Sequence, residues 1–444
     1  MKGLRRVIRR ASIGGDSALS PLRDPGSRAR LLSVLVLCCL AIALAGVLVG
    51  PAGPQLQVDR ERPANNTLVG LQGYADEGRV VELTPAGEVV WEYHAGDVFD
   101  VEAVNGSTVQ IATAETLPDA DCPEPYASDG YDGCVRNALK HVDRDSKRVV
   151  WEYAWYDVEK HEHELHDADR YVVDGEPRYV MVDLGNDRVF AVNSAGEKLW
   201  QWNASDTYER PEDMGVEGDW THANDVDRVE PGVFQVSLRN FDTVVELHVA
   251  DDGSVRVEPV LGPNQYEGSA GPLYEQHNPD RLGDGSLLVA DSEHDRVVEF
   301  APDGTKTWEV GGSATFDWPR DADRLPNGHT IVADSYNDRI VELDESGTVV
   351  WAVRTGGLPY EADRVTPHEP AAADGSASGP SAREAGLESR VREASTVSEK
   401  LAYAVSVAKY VLPNSVAEQL YPLLGAVVFG LAGLVDAGYR RLRD

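Results

Sequence analysis

The stretch from Phe316 to Val353 and the stretch before it, Tyr274 to Val310, are two copies of one unit. Laid over one another without a gap, Asp280-Arg281 falls on Asp323-Arg324 and Gly283-Asp284-Gly285 on Pro326-Asn327-Gly328. Val289-Ala290-Asp291-Ser292 falls on Val332-Ala333-Asp334-Ser335, and Trp308 on Trp351. Each copy reads as four short antiparallel strands separated by turn residues. A four-stranded unit of about forty residues cannot cover its own sheet faces, so several must pack side by side, the signature of a β-propeller.

Four further units precede these two. They run from Thr67 to Tyr93, from Asp100 to Tyr153, from His161 to Trp202 and from Trp220 to Pro259. The first lacks the Asp-x-Asp-Arg strand that opens units three, four and six. That strand stands instead after the sixth unit, as Glu361-Ala362-Asp363-Arg364. The two ends therefore complete one blade between them, and the expected fold class is an all-β, six-bladed propeller over residues 66–365 with no free sheet edge.

The flanks read differently. Residues 1–30 form a basic segment, and Leu31 to Val49 is an uncharged apolar run long enough to span a bilayer. Residues 416–439 make a second candidate span, followed at once by the basic tail 440–444, so the positive-inside rule puts both termini in the cytoplasm and the propeller outside. Linkers are expected at 50–65 and 366–381, and an amphipathic helix at 382–412, where Leu387, Val391, Leu401 and Val405 lie near helical spacing. The fold class is thus a propeller flanked by N-terminal and C-terminal transmembrane helices, with membrane lipid as a partner through them.

The chain carries 75 acidic against 41 basic residues, a net charge of −34. Only eight of the basic residues are Lys. A carboxylate-coated surface on a chain with ample apolar residues suits a folded protein of a halophile, where salt screens the self-repulsion. The same charge excludes nucleic acid as a partner, since phosphate contacts need a basic face. Cys122 and Cys134 bracket a Pro/Gly/Asp-rich loop inside unit two, and a disulfide between them is expected outside the cytoplasm.

A repeat is its own control: a position that differs in one blade is free of the shared structural demand. Four residues before the strand-opening Arg, unit three has His166, unit five His277, unit six Arg320 and unit four Asn224, with His222 two residues earlier. Arg239 stands where units five and six have Ser292 and Ser335. Histidines and an arginine converging on the mouth of the central channel suit an anionic tetrahedral group, because Arg presents a planar fork to oxyanions and neutral His serves as nucleophile, acid or base. Trp220, Tyr274 and Trp318 flank these slots; the first two are candidates to stack on an aromatic substrate, and Trp318 reads as inter-blade packing. His161, His163 and His166 with Glu162 and Glu164 could instead hold a metal, but no metal ligand set is assigned. The Asp-Ser-x-x-Asp-Arg runs recur and are expected to make the same structural hydrogen bonds in each blade.

Taken together, the His166-Asp167 strand, Trp220-x-His222-x-Asn224, Arg239 and Gln276-His277 resemble the arylsulfate sulfotransferase family, here as a membrane-anchored member of haloarchaeal type. The resemblance spans roughly residues 67–364. It implies transfer of a sulfuryl group from a phenolic sulfate ester to a phenol with no cofactor, through a sulfated histidine. His277 would be the nucleophile, Arg239 and His222 would bind the sulfuryl oxygens with Asn224 assisting, and His166 would bind the group or exchange a proton with the phenol. The chain departs from the family in lacking its N-terminal β-sandwich, which leaves oligomeric state open, and in its two membrane segments. Two alternatives stand beside this reading: a metal-dependent, lactonase-like propeller hydrolase, which needs acidic ligands on the channel axis, and a binding or scaffold propeller, for which His277 is dispensable.

Overall fold

The computed structural model describes residues 57–73, 78–128, 133–158, 164–211, 219–262, 271–365 and 379–395, together with 399, 400 and 403. The propeller lies within the compact unit Gly53–Ser395. Six sheets form six blades, and in each the innermost strand comes first in the chain, except in blade one. There Leu358–Arg364 pairs antiparallel with Thr67–Gln72, so the last propeller strand is the inner strand of the first blade and the ring closes as expected. The remaining inner strands are Asp97–Asn105, Leu165–Val173, Ala223–Glu230, His277–Arg281 and Pro319–Arg324.

The recurring motifs explain how the blades hold together. The opening Asp of each Asp-Ser-x-x-Asp-Arg run takes the Arg: Asp291 with Arg296 at 2.6 Å, and Asp334 with Arg339 at 2.7 Å. The same carboxylates accept the N–H of Tyr274 and of Asp317, which tie down the entry to the inner strand. The closing Asp caps a one-turn helix in the left-handed region, with φ of 54° at Asp295 and 52° at Asp338, and Asp242 holds the same place in blade four, outside the motif, at 52°. Its side chain reaches the following blade, Asp242 accepting from Glu275 N and Asp295 from Trp318 N. The motif is therefore structural, as its repetition predicts. The Trp that ends a unit does similar work further out: the indole N–H of Trp91 donates to Arg144 O, that of Trp151 to Ser194 O and that of Trp351 to Pro85 O, each on the next blade.

Three departures from the sequence reading lie at the edges. Within the expected linker 50–65, Val58–Asp59 adds a fifth strand to the outside of blade six. The expected helix 382–412 is, over residues 382–395, a single turn, Ala382–Ala385, opened by a Ser381/Glu384 capping box and closed by Gly386 at φ 72°. The chain then runs extended, Arg390–Val391 pairs with the outer strand of blade five, and Glu388 O receives the Trp308 indole N–H. An exposed strand edge offers unpaired N–H and C=O groups, and these win over weak helical periodicity. Both additions blunt such edges. Cys122 and Cys134 form the expected disulfide. Among the described residues no helix is long and apolar enough to cross a membrane; 31–49 and 416–439 lie outside them.

Trp351 joins two blades through packing and through its indole hydrogen bond, and it is 1 % exposed. Trp351→Ala is expected to cost about 3–5 kcal/mol in chemical unfolding, while Val89→Ala on an exposed strand stays within about 0.5 kcal/mol.

Candidate active site

The six equivalent slots on the inner strands hold Tyr360, Phe99, His166, Asn224, His277 and Arg320, in blade order, and all six are buried. In five blades the slot residue is an extra one: pairing with the second strand jumps across Tyr360, Phe99, His166, Asn224 and Arg320. A bulge of this kind frees a residue from the ladder and re-aims its side chain. The slots do converge. Tyr360 lies 5.7 Å from Phe99, 5.1 Å from His166 and 6.0 Å from His277, ring centre to ring centre, and His166 lies 4.8 Å from Phe99.

His222 reaches the cluster by another route. It sits just before its strand at φ 48°, in the position that Glu275 and Trp318 occupy at φ 49° and 56°. Its ring stands 5.6 Å from that of His166, and its Nδ1 lies 2.9 Å from Asp219 Oδ1. Asn224 turns toward blade five and donates to Gln276 O at 2.9 Å, so it positions the backbone beside His277. His166 Nδ1 lies 2.9 Å from the Tyr360 hydroxyl and 3.3 Å from Asn224 O. The carbonyl can only accept while the phenol can give or take, so this nitrogen can hold or pass a proton without moving.

The tautomer of His277 follows from its partner. The Ser292 hydroxyl has one proton, and at 2.6 Å from Pro319 O that proton goes to a carbonyl that can only accept. The hydroxyl oxygen then accepts from His277 Nδ1–H at 2.8 Å, which leaves the lone pair on Nε2. Burial, then the positive charges of Arg239 and Arg320, hold His277 neutral by pushing its pKa well below the usual imidazole range. Burial does the same for His166, aided by the charges of His222 and Arg320.

Three of the nominated side chains have other occupations. Arg239 is joined to the Glu275 carboxylate of blade five and donates to Asn240 Oδ1 at 3.1 Å. Trp220 packs on Phe241 in the hydrophobic cluster of blades three and four, and Tyr274 lies edge-on to His294. Trp318, read from sequence as packing, faces the cluster instead. Its ring is 5.9 Å from His277 and stacks over the Arg320 guanidinium, which Tyr360 covers from the other side at 4.3 Å. Arg320 further donates to Gln72 Oε1 at 2.6 Å and to Ser335 Oγ at 3.3 Å. The repeat register puts Arg320 in a slot, and the sequence alone assigns it no role. Tyr360 and Phe99 were open to the same alignment, four before Arg364 and one before Asp100. His161 and His163, and with them the His-x-His metal cluster, lie outside the described residues.

Immediately below the slots the channel is acidic. A first ring holds Glu361, Asp100, Asp167, Asp225, Asn278 and Asp321, and a second holds Glu102, Asp169, Asp227, Asp280 and Asp323. Several use one oxygen to accept a backbone N–H from the next blade: Glu361 from Val101, Asp167 from Val226, Asp169 from Arg228 and Asp321 from Ala362, at 2.7–3.0 Å. Burial pushes these carboxyls up, Asp169 and Asp280 to about 6 and Asp321 to about 7. The arginines that follow them turn outward to glutamates of the third strands, Arg281 to Glu246, Arg324 to Glu299 and Arg364 to Glu342.

No protein-family model matches the chain, and no curated protein does. Among solved structures, a protein of unknown function from Bacteroides caccae is 16 % identical, with 67 % of this chain and 98 % of that one covered and a TM-score of 0.47. The periplasmic gluconolactonase of Pseudomonas aeruginosa is 16 % identical over 68 % and 99 %, with a TM-score of 0.43. The catalytically inactive virginiamycin B lyase of Staphylococcus aureus, solved with quinupristin, is 8 % identical over 67 % and 88 %, at 0.37. None of these is an aryl sulfotransferase, and at such scores they add nothing to what the strand order establishes.

A histidine held neutral in the fold and protonated when unfolded gives stability that is present above about pH 6.5 and lost as pH falls below it. Wild type should therefore lose more melting temperature between pH 6.5 and pH 5 than His277→Gln does. Parallel melting curves on the two proteins check this, because the channel carboxyls are common to both.

Proposed function

We propose that the protein is a nucleotide-independent aryl sulfotransferase working through a sulfohistidine at His277. The observation that carries the reading is the tautomer: Ser292 and Pro319 hold the His277 proton on Nδ1, so a neutral Nε2 lone pair stands among two arginines. The Nε2 pair attacks the sulfur of an aryl sulfate, the N–S bond forms, and the S–O bond to the ring breaks. The departing phenolate takes a proton from His222, whose imidazolium the Asp219 carboxylate would hold. An acceptor phenol then attacks the same sulfur, gives its proton back to His222, and returns the lone pair to Nε2, with His166 and Tyr360 as hydrogen-bonding groups beside it. Arg320 and Arg239 offset the charge on the sulfuryl oxygens, which a loose transition state spreads outward. Arg239 would exchange part of its contact with Glu275 for the substrate, while Trp318 offers an aromatic wall at the rim. Phenolic sulfate ester and phenol are the small-molecule partners, and no cofactor takes part.

A second reading, the metal-dependent hydrolase of lactonase type, is favoured by one observation: the carboxylate lining that such an enzyme needs on its axis is present. The two separate on product: a sulfuryl adduct at His277 marks the transferase, and metal-dependent lactone hydrolysis with no adduct marks the hydrolase. On location, the apolar segments 31–49 and 416–439 support a propeller anchored on the outer face of the cell membrane, with both termini inside; protease protection of tagged termini in intact cells tests it.

Full-length protein incubated in high salt with 4-nitrophenyl sulfate is expected to release nitrophenol and to carry a sulfuryl adduct on the His277 peptide by mass spectrometry. His277→Ala should abolish both, and Ser292→Ala should slow adduct formation by about 10- to 100-fold while the protein stays folded. Because His277 is held neutral, the rate of adduct formation should stay flat from pH 8 to below pH 6.5. Folded protein that forms no adduct and releases no nitrophenol overturns the reading.

A further inference from the structure

The acidic channel departs from its own pattern most plainly at Asp225. Asp167 and Asp321 each bind the N–H of the residue two past the slot on the next blade. Asp225 of blade four stands in the same position, but the residue it faces on blade five is Pro279, which has no N–H. Asp225 is 6 % exposed, and its Oδ2 has no hydrogen-bond partner. Asn278 Oδ1 and Asp280 Oδ2, on blade five, have none either. All three side chains line one cavity of about 140 Å³, which ten carboxylates surround and to which the described residues contribute no lysine or arginine.

A buried carboxylate oxygen without a donor is costly. Where a proline withdraws the donor, an aspartate retained for blade contact alone has no purpose. With Asp100 Oδ2 of blade two, four unpartnered oxygens of carboxylate and amide type line this space, and such oxygens are the donors a hard cation takes. We propose that the channel between blades four and five binds a hydrated divalent cation, with Asp225, Asp227, Asn278 and Asp280 as its nearest oxygen donors.

Spacing selects the ion. Among the described residues, the acidic and histidine set whose ligand atoms all come within 4.8 Å of one another is Glu246, His248 and Glu258, on strands Thr243–Val249 and Val255–Leu261 of blade four. The channel oxygens stand wider, so an ion there keeps water, and a space of this size accepts an ion with several waters. Ca²⁺, with about six to eight oxygen ligands in flexible geometry, suits such a site better than Mg²⁺, which demands a tight octahedron. The ion serves as a structural counter-charge beneath the histidine cluster, and the proposal holds whether or not His277 carries a sulfuryl group.

The test uses the full chain, stripped with chelator and dialysed into concentrated KCl, so that surface carboxylates are screened. CaCl₂ and MgCl₂ are titrated by calorimetry and by thermal melting at fixed ionic strength. Wild type should show saturable Ca²⁺ binding with a rise in melting temperature, and Mg²⁺ should bind more weakly. Asp225→Asn and Asp280→Asn should each weaken Ca²⁺ binding by about tenfold or more, and either variant serves if the other does not fold. Glu258→Gln, at the exterior set, should leave it unchanged. Absence of saturable binding by folded wild type overturns the proposal, as does binding lost in Glu258→Gln and kept in Asp225→Asn and Asp280→Asn.

Discussion

The ring rests on carboxylates that cross from one innermost strand to the backbone of the next. Glu361, Asp167, Asp169 and Asp321 each take an N–H that the neighbouring sheet cannot satisfy, because an innermost strand has no further strand on its channel side. One oxygen of each side chain thus does what a ladder would do elsewhere. The arrangement has a cost built into it. Every crossing places a second oxygen, and its charge, in the same narrow channel, where two unit charges roughly 5 Å apart repel by about 3 kcal/mol at an effective dielectric near 20. Bulk salt screens the acidic outer surface and reaches this interior poorly. Burial first pushes these carboxyls up, Asp169 to about 6 and Asp321 to about 7, and at Asp321 the neighbouring carboxylates Asp280 and Asp363 add to it.

The bulge beside these carboxylates is what lets a symmetric fold carry an asymmetric site. Residues one and three past the slot carry the crossing bonds in blades one, three and six, and their chemistry barely varies: all are Asp, Glu or Asn. The slot residue stands outside the ladder and answers to no such demand. It is aromatic in blades one and two, imidazole in three and five, amide in four and guanidinium in six. A site assembled from six such positions can be changed one blade at a time without disturbing the closure of the ring.

What the sequence made legible follows the same division. The blades, their closure through Tyr360 to Arg364 and the Cys122–Cys134 bridge rest on repeat and spacing, and all are present. The slot comparison groups His166, Asn224, His277 and Arg320, and their side chains or strands lie near one another because equal register puts equal positions at equal depth. It fails where the neighbour decides. Trp220 and Trp318 both flank slots, yet one meets Phe241 in the core and the other meets His277, since only His222, Glu275 and Trp318 share the left-handed position that turns a residue toward the cluster. Glu275 as the partner of Arg239, and the extended course of residues 387–395, depend on strands distant in sequence. The Asp-x-Asp pairs were visible as punctuation, but nothing local says that they and the matching acidic residues of all six blades line one cavity.

A site for an anion directly above an acidic channel looks contradictory until the charges are placed. Arg320 lies against Trp318 and Tyr360 and donates to Gln72 and Ser335, all neutral groups. Burial, then the charge of Arg239, then that of Arg320 keep His277 from taking a second proton. A protonated imidazole has no lone pair to offer, so the cations that would receive a sulfuryl group also keep the nucleophile available for it. The acidic rings oppose this, since carboxylates beneath the histidines favour protonation. Partly protonated carboxyls, or a cation among them, lower that opposition, and the electrostatics of the cup and of the channel are then a single balance rather than two.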